Sequence, residues 1–364
     1  MKVISIKTTK KEKIIDTVVQ TLSNGGLVIF PTETTYGAGV DATNQKAVDK
    51  LLSYKTRREG KPLSIAVKDK KMAEDYVFLN RSASQMYDTF LPGPFTIISK
   101  SKGRTVNGVE SEFGTLGVRI PDYQLVLDFL TKFAKPMTAT SANASGKRRP
   151  YKIDDLLNNL SQKQKDLIDL IVDVGELDHN KPSTIIDTTM SAPMTLRQGD
   201  SDVEGSVKIE QEEADFVSKS EKETKDIAKR LILKNWNQVK ETGLVIGLDG
   251  DLGVGKTIFT KGIAEFLQID DVITSPTYSY VNEYDFVRHN FKGRFYHLDV
   301  WKINSKEELD RLDFFNIIKP GNVIVVEWWN QIDDFIKEQL KAKLIKIVIS
   351  ENKDSDRELR VREI

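Results

Sequence analysis

The chain of 364 residues carries 54 Lys and Arg against 54 Asp and Glu, so its formal net charge is zero. That length predicts two or three domains, and 39% hydrophobic with 30% charged residues excludes bulk disorder. Cysteine is absent and histidine occurs only at His179, His289 and His297, which excludes disulfide scaffolds, thiolate metal sites and thiol nucleophiles.

The first twenty residues, MKVISIKTTKKEKIIDTVVQ, are interrupted by charges and lack the apolar core of a secretory leader. Ile14, Val18 and Leu22 recur at helical spacing, Asn24-Gly25-Gly26 stops that helix, and 27–30 reads as a buried strand ended by Pro31. The pattern repeats with helices over 45–52 and 82–90 and strands over 63–67, 96–99, 117–120, 171–174 and 184–186. Alternation of this kind predicts a mixed α/β domain around one twisted sheet. No run approaches the roughly 20 apolar residues of a membrane span, so a cytoplasmic location is expected.

Composition changes after Gly199: between Asp200 and Glu223 nine acidic residues face three lysines. This predicts an acidic, solvated linker over 201–222 between domains spanning 1–200 and 223–364. Helical spacing resumes over 224–233, and 244–248 is another short apolar strand.

That strand runs into Gly250-Asp251-Leu252-Gly253-Val254-Gly255-Lys256-Thr257, and a helical pattern follows over 258–267. The octapeptide satisfies G-x-x-x-x-G-K-[ST] in the strand–loop–helix context that a P-loop requires. Its glycines let backbone N–H groups converge on phosphate at a helix N-terminus. Lys256 is placed to neutralise the β- and γ-phosphates, and Thr257 to offer a hydroxyl to Mg²⁺. Two acids end apolar strands downstream, Asp299 after 294–298 and Glu327 after 323–326, where metal- or water-positioning carboxylates belong.

The P-loop, Ser275-Pro276-Thr277-Tyr278, His297-Leu298-Asp299 and Val326-Glu327-Trp328 together resemble the TsaE (YjeE-like) ATPase family over about 221–364. The resemblance implies a P-loop α/β domain with Mg²⁺ on Thr257 and Glu327, catalytic roles for Asp299 and Glu327, and a mobile loop at 275–278. Ile258 departs from the family pattern, which usually has a second threonine there.

Four clusters stand out in the first half: Pro31-Thr32-Glu33-Thr34-Thr35-Tyr36-Gly37, the cation-rich Lys55-Thr56-Arg57-Arg58-Glu59-Gly60-Lys61, the polar Thr140-Ser141-Ala142-Asn143 loop, and Ser183-Thr184 with Arg197. In this order they resemble the YrdC-like threonylcarbamoyl-AMP synthases (TsaC) over about 10–199. The fold implied is a twisted mixed-sheet α/β domain with a concave basic site. The reaction implied joins L-threonine, bicarbonate or CO₂, and ATP into threonylcarbamoyl-AMP and pyrophosphate. Two anions must meet in it, which calls for fixed cations and preorganised donors.

Carried over position by position, Thr34, Arg119 and Ser183 would contact L-threonine. Lys55, Arg57, Lys61, Thr115, Ser141, Asn143, Arg149 and Arg197 would surround ATP, with Lys55 and Arg57 in catalytic roles. Ala66 stands where many members have histidine.

The leading expectation is a fusion of two components of tRNA threonylcarbamoyladenosine synthesis. TsaD- and TsaB-like transferase partners, an indirect relation to tRNA and no membrane are expected with it. Three other readings stay open on the sequence: a synthase carrying a nucleotide-dependent binding module without turnover, an RNA-binding YrdC-like module fused to a P-loop NTPase, and a P-loop kinase.

Overall fold

The computed structural model describes residues 1–56, 62–144, 147–190, 193–199, 213–288, 290–336, 340 and 342–364, and the backbone of 207–208. They form two units, Met1–Lys208 and Ile209–Ile364. Among the described residues no helix is long and apolar enough to cross a membrane.

The first unit is built on a sheet of β1 (Lys2–Ser5), β2 (Val28–Phe30), β3 (Gly37–Gly39), β4 (Ser64–Ala66), β5 (Val77–Phe78), β6 (Phe95–Ser101), β7 (Thr115–Arg119), β8 (Met137–Ser141), β9 (Leu170–Asp173), β10 (Thr184–Asp187), β11 (Met194–Arg197) and β12 (Val207–Lys208). The spatial order is β1-β9-β2-β3-β8-β4-β7-β6-β10-β11-β12, with β5 on β6, and the pairing is mixed. Side chains alternate between the faces. On one face Val28, Phe30, Met137, Leu170 and Val172 pack under the helices Lys11–Ser23 and Gln124–Phe133. On the other, Ile29, Ala38, Ile65, Ile97 and Val118 pack with Val48, Leu51 and Tyr54 of the helix Gln45–Lys55.

The first face continues over β4, β7 and β6, where register aligns Ser64 with Gly117 and Ala66 with Arg119. Ser64 and Thr115 are partly exposed there and the Arg119 side chain is nearly buried, whereas Ile65 and Val118 on the opposite face are fully buried. Small and polar residues thus occupy this part of the face that the two helices cover farther along the sheet, where the sequence reading puts the cleft.

The second unit has β13 (Glu213–Ser218), β14 (Leu244–Asp249), β15 (Val281–Arg288), β16 (Phe291–Asp299), β17 (Asn322–Glu327), β18 (Lys343–Glu351) and β19 (Arg357–Glu363). Their order is β13-β19-β18-β14-β17-β16-β15. The central β18, β14, β17 and β16 run parallel, and the apolar runs of β14, β16 and β17 are buried on both faces, as parallel strands require. Register puts Glu327 opposite Leu248 and Asp299 opposite Glu327. The carboxyl ends of three neighbouring strands therefore meet at one edge, where open α/β sheets bind ligands.

One expectation is corrected here. Part of the segment 201–222 is not linker: Glu213–Ser218 is strand, antiparallel to β19, and the helix Glu221–Lys234 starts soon after. Phe216 and Ser218 are buried while Glu213, Asp215 and Val217 face solvent. Glu213 and Asp215 pair across the strand with Arg362 at 2.7 Å and Arg360 at 3.3 Å. The acidic run matches an arginine-rich partner 145 residues away, which local composition does not reveal.

Glu363 on β19 is nearly buried and receives Lys234 Nζ at 2.7 Å and Lys343 Nζ at 2.6 Å. Burial alone would raise its pKa, but the two lysines outweigh burial and hold it below the ordinary glutamate value. A depressed folded pKa gives stability that is present above the unfolded value and lost as pH falls through the folded one. Glu363→Gln should therefore lower the melting temperature of the C-terminal unit at pH 7 by roughly 2–4 °C, on the order of 1 kcal/mol. The gap from wild type should close below about pH 4, as calorimetry at both pH values would show.

Candidate functional site

Between β14 and the helix Lys256–Leu267 the chain turns through left-handed glycines, among them Gly250 at φ 136° and Gly255 at φ 116°. A Cβ on Gly250 would lie 2.1 Å from Ile349 O, and one on Gly255 would lie 2.7 Å from Arg357 Nε, so neither position accepts a side chain. Arg357 Nε also donates to Val254 O at 3.0 Å, tying the loop to β19. Lys256 Nζ donates to Gly250 O at 2.6 Å and Asp251 O at 2.9 Å, and stands 3.9 Å from the centre of the Trp328 ring. Burial lowers its pKa, against Glu327 and Asp299, which favour the charged form. Trp328 is itself left-handed at φ 66°, a strained conformation of the kind found at functional sites.

Thr257 Oγ1 donates to Glu327 Oε1 at 3.0 Å. The same oxygen is 2.9 Å from Nε2 of the fully buried His297. Asp299 Oδ2 accepts from Ser275 Oγ at 3.2 Å and Thr277 Oγ1 at 2.9 Å, and its Oδ1 accepts from Trp301 N–H at 3.3 Å. Lys256, Thr257, Asp299, Glu327 and Trp328 line one cavity of about 740 Å³, the size of a small-molecule site. Among the described residues no group of three or more His, Cys, Asp or Glu side chains could hold a metal ion. Thr257 and Glu327 are oxygen donors, and they fit an Mg²⁺ that takes its other ligands from phosphate and water.

In the N-terminal cleft, Thr32 Oγ1 accepts from the N–H groups of Thr34 and Thr35, each at 3.2 Å, and donates to Thr35 O at 2.6 Å. This hydroxyl-closed turn holds Thr34 Oγ1 3.1 Å from Thr32 Oγ1. Beside it Glu33 forms an ion pair with Arg119, at the end of β7, and Asn180 Nδ2 donates to the Glu33 carbonyl at 2.8 Å. Val118 pairs with Ile97, so Thr96 lies beside Arg119, and Thr96 Oγ1 is 3.1 Å from Ser183 Oγ. Arg197 Nη2 reaches Ser183 O at 2.7 Å and Oγ at 2.8 Å. Thr34, Arg119 and Ser183 thus gather at one end of the cleft.

Arg197, predicted for the nucleotide, therefore stands on Ser183, a residue predicted for threonine. Lys55 Nζ donates to Ser141 O at 2.7 Å and Asn143 O at 2.5 Å, and the Tyr54 hydroxyl donates to Ala142 O. The end of one helix therefore fastens the Ser-Ala-Asn loop. Thr115, bonded to Ser111 Oγ at 2.7 Å, is four residues back from Arg119 on the same face of β7, roughly 13 Å away along the strand. Arg149 is half-exposed next to Pro150, whose carbonyl accepts from Thr35 Oγ1 at 2.6 Å. Arg57 and Lys61 lie outside the described residues.

Residues 20–199 match the Sua5/YciO/YrdC family, described as telomere recombination. Residues 218–359 match TsaE, described as threonylcarbamoyl adenosine biosynthesis protein TsaE. A putative threonylcarbamoyl-AMP synthase of Methanocaldococcus jannaschii is 35% identical over 199 residues, covering 55% of this chain and 92% of that protein. The chain belongs to the Sua5/YciO/YrdC family. A threonylcarbamoyl-AMP synthase of Vibrio vulnificus is 32% identical over 185 residues, 50% of this chain and 96% of that protein. The crystal structure of Pyrococcus abyssi Sua5 complexed with L-threonine aligns with a TM-score of 0.51 at 20% identity, over 90% of this chain and 92% of that one, a likeness of fold. This Sua5/YciO/YrdC member therefore carries a C-terminal domain of the TsaE P-loop ATPase family, the fusion that the motif order predicts.

Several site residues had no assigned role from sequence. Glu33, His297 and Trp328 sit inside the motif strings, so a signal existed; Thr96, Asn180 and Arg357 carry none, and only sheet register and loop packing bring them in. The Lys55 clamp gives a direct expectation for the synthase-family domain. On the proposal that ATP binds against the 141–143 loop, Lys55→Met, which leaves the Tyr54 bond to Ala142 O in place, should loosen that loop and raise the KM for ATP in threonine-dependent pyrophosphate release by about tenfold, the scale of losing charge-assisted hydrogen bonds. An unchanged KM would show that the loop holds its shape without the lysine.

Proposed function

We propose that the N-terminal domain condenses L-threonine, bicarbonate-derived CO₂ and ATP into threonylcarbamoyl-AMP and pyrophosphate. The observation that carries this reading is the convergence of Arg119 with the Thr34 and Ser183 hydroxyls at one end of a cleft. The other end holds Thr115 and the Lys55-fastened loop at Ser141 and Asn143. A guanidinium suits the amino-acid carboxylate, and backbone and hydroxyl donors with Arg149 and Arg197 suit the nucleotide. Arg57 and Lys61 complete the nucleotide set in this reading. No covalent enzyme intermediate is needed, in keeping with a chain that has no cysteine.

The TsaE domain, in this reading, binds ATP on residues 250–257 and hydrolyses it in support of a transferase complex with TsaD- and TsaB-like subunits. tRNA contact is indirect, and the setting is the cytoplasm. Thr257 and Glu327 hold Mg²⁺, which when bound neutralises charge on the phosphates. Asp299 orients the water, and His297 keeps the Glu327 carboxylate turned toward Thr257. A second reading is favoured by the three donors that already occupy Asp299: the loop at 275–278 senses nucleotide, and the domain acts as a binding module with little turnover. Steady ATP hydrolysis by the isolated chain would sink this second version.

Mass spectrometry of the product made from labelled L-threonine, labelled bicarbonate and Mg-ATP tests the main reading. Both labels should appear in one adenylate, with stoichiometric pyrophosphate. An active, folded preparation that releases no pyrophosphate would overturn it.

A further inference from the structure

We infer that Glu33 is a specificity-determining residue of the N-terminal cleft, receiving the amine of the amino-acid substrate while Arg119 receives its carboxylate. The inference rests on the reading of this cleft as an amino-acid site. Glu33 and Arg119 meet through Oε1 and Nη2. Among the described residues, Glu33 Oε2 and Arg119 Nε are both buried with no hydrogen-bond partner.

A guanidinium and a carboxylate that served only to brace the turn would gain most from the parallel, two-bond fork. Here one contact forms and an acceptor and a donor are left over, both away from water, where an unmade hydrogen bond is costly. An α-amino acid has the complementary pattern. Its ammonium can donate to Glu33 Oε2, and its carboxylate can accept from Arg119 Nε. A carboxylic acid without the amine answers only the arginine.

The two groups are also held in place before any ligand arrives. The backbone of Glu33 is fixed by the Thr32 hydroxyl turn and by Asn180, that of Arg119 by its place in β7 between β4 and β6, and the two side chains hold each other. Preorganisation of this kind reduces the ordering that binding requires. The Thr34 and Ser183 hydroxyls nearby, already bonded to Thr32, Thr96 and Arg197, would serve the substrate's own side chain, leaving recognition of its charged ends to the pair.

Calorimetric titration of the full chain with L-threonine and with (R)-3-hydroxybutanoate, which is threonine without its amine, tests the assignment. Wild type should prefer L-threonine by at least about tenfold. Glu33→Gln, which keeps an oxygen for Arg119, should weaken L-threonine by at least about tenfold while (R)-3-hydroxybutanoate stays within about threefold, collapsing the preference. Glu33→Asp keeps the charge and should retain part of the preference; it decides the matter if the glutamine variant does not fold. An unchanged preference in the folded variants overturns the role of Glu33 alone. Failure of the wild type to bind L-threonine overturns the proposed function together with it.

Discussion

Replacing Arg119 by alanine should reduce threonine-dependent pyrophosphate release by about a hundred- to a thousandfold, the scale of removing one partner from a hydrogen-bonded charge pair. Two losses coincide. In the proposed reading the substrate carboxylate loses its cation, and Glu33, nearly buried beside Arg119, is left without its counter-charge. The second loss also affects folding, because an unpaired charge away from water is strongly destabilising. The double variant Arg119→Ala/Glu33→Gln separates them. It should recover much of the melting temperature and none of the activity, whereas recovery of activity would show that Arg119 acts only through stability. Arg119→Lys keeps a charge without the planar fork and should fall between.

The second large effect lies in the TsaE domain. On the proposal that the Lys256 ammonium turns to the phosphates of a bound nucleotide, Lys256→Ala should weaken binding of a fluorescent ATP analogue to that domain by at least about a hundredfold. In the structure that ammonium bonds Gly250 O and Asp251 O and lies on the Trp328 face. These contacts hold the lysine inside the loop, ready to turn to a ligand. Glu327→Gln separates binding from turnover. On the proposal that Glu327 holds Mg²⁺ for hydrolysis, the variant should retain nucleotide affinity within about threefold and lose turnover, because the amide still receives Thr257 but carries no charge for the metal. Affinity lost in Glu327→Gln and kept in Lys256→Ala would reverse the roles given to the two residues.

These expectations draw unequally on the sequence. The P-loop was legible because its function is local: eight consecutive residues, a strand before them and a helix after them, with glycines where φ is positive. The helices Lys11–Ser23, Gln45–Lys55 and Arg81–Phe90 were legible for the same reason, each showing apolar spacing between a polar start and a turn. β3, with the sequence Gly-Ala-Gly, has no apolar pattern and exists only because β2 and β8 pair with it on either side. β13 was hidden by its charge and became a strand because β19 brings arginines to meet its acids.

The same division holds at the sites. Sequence by itself determined the residue types and their order: hydroxyls after a strand, a cation-rich run, a polar loop, then a phosphate loop followed by two strand-end acids. It determined the family and the pairing of two domains. What only the tertiary structure decided is who faces whom. Glu33 and Arg119 are 86 residues apart, Thr257 and Glu327 are 70 apart, and Lys55 reaches carbonyls 86 and 88 residues away. Hydrogen bonds and ion pairs act over a few ångströms, so those partners are set by strand register and sheet order. Both are long-range properties that no window of the sequence contains.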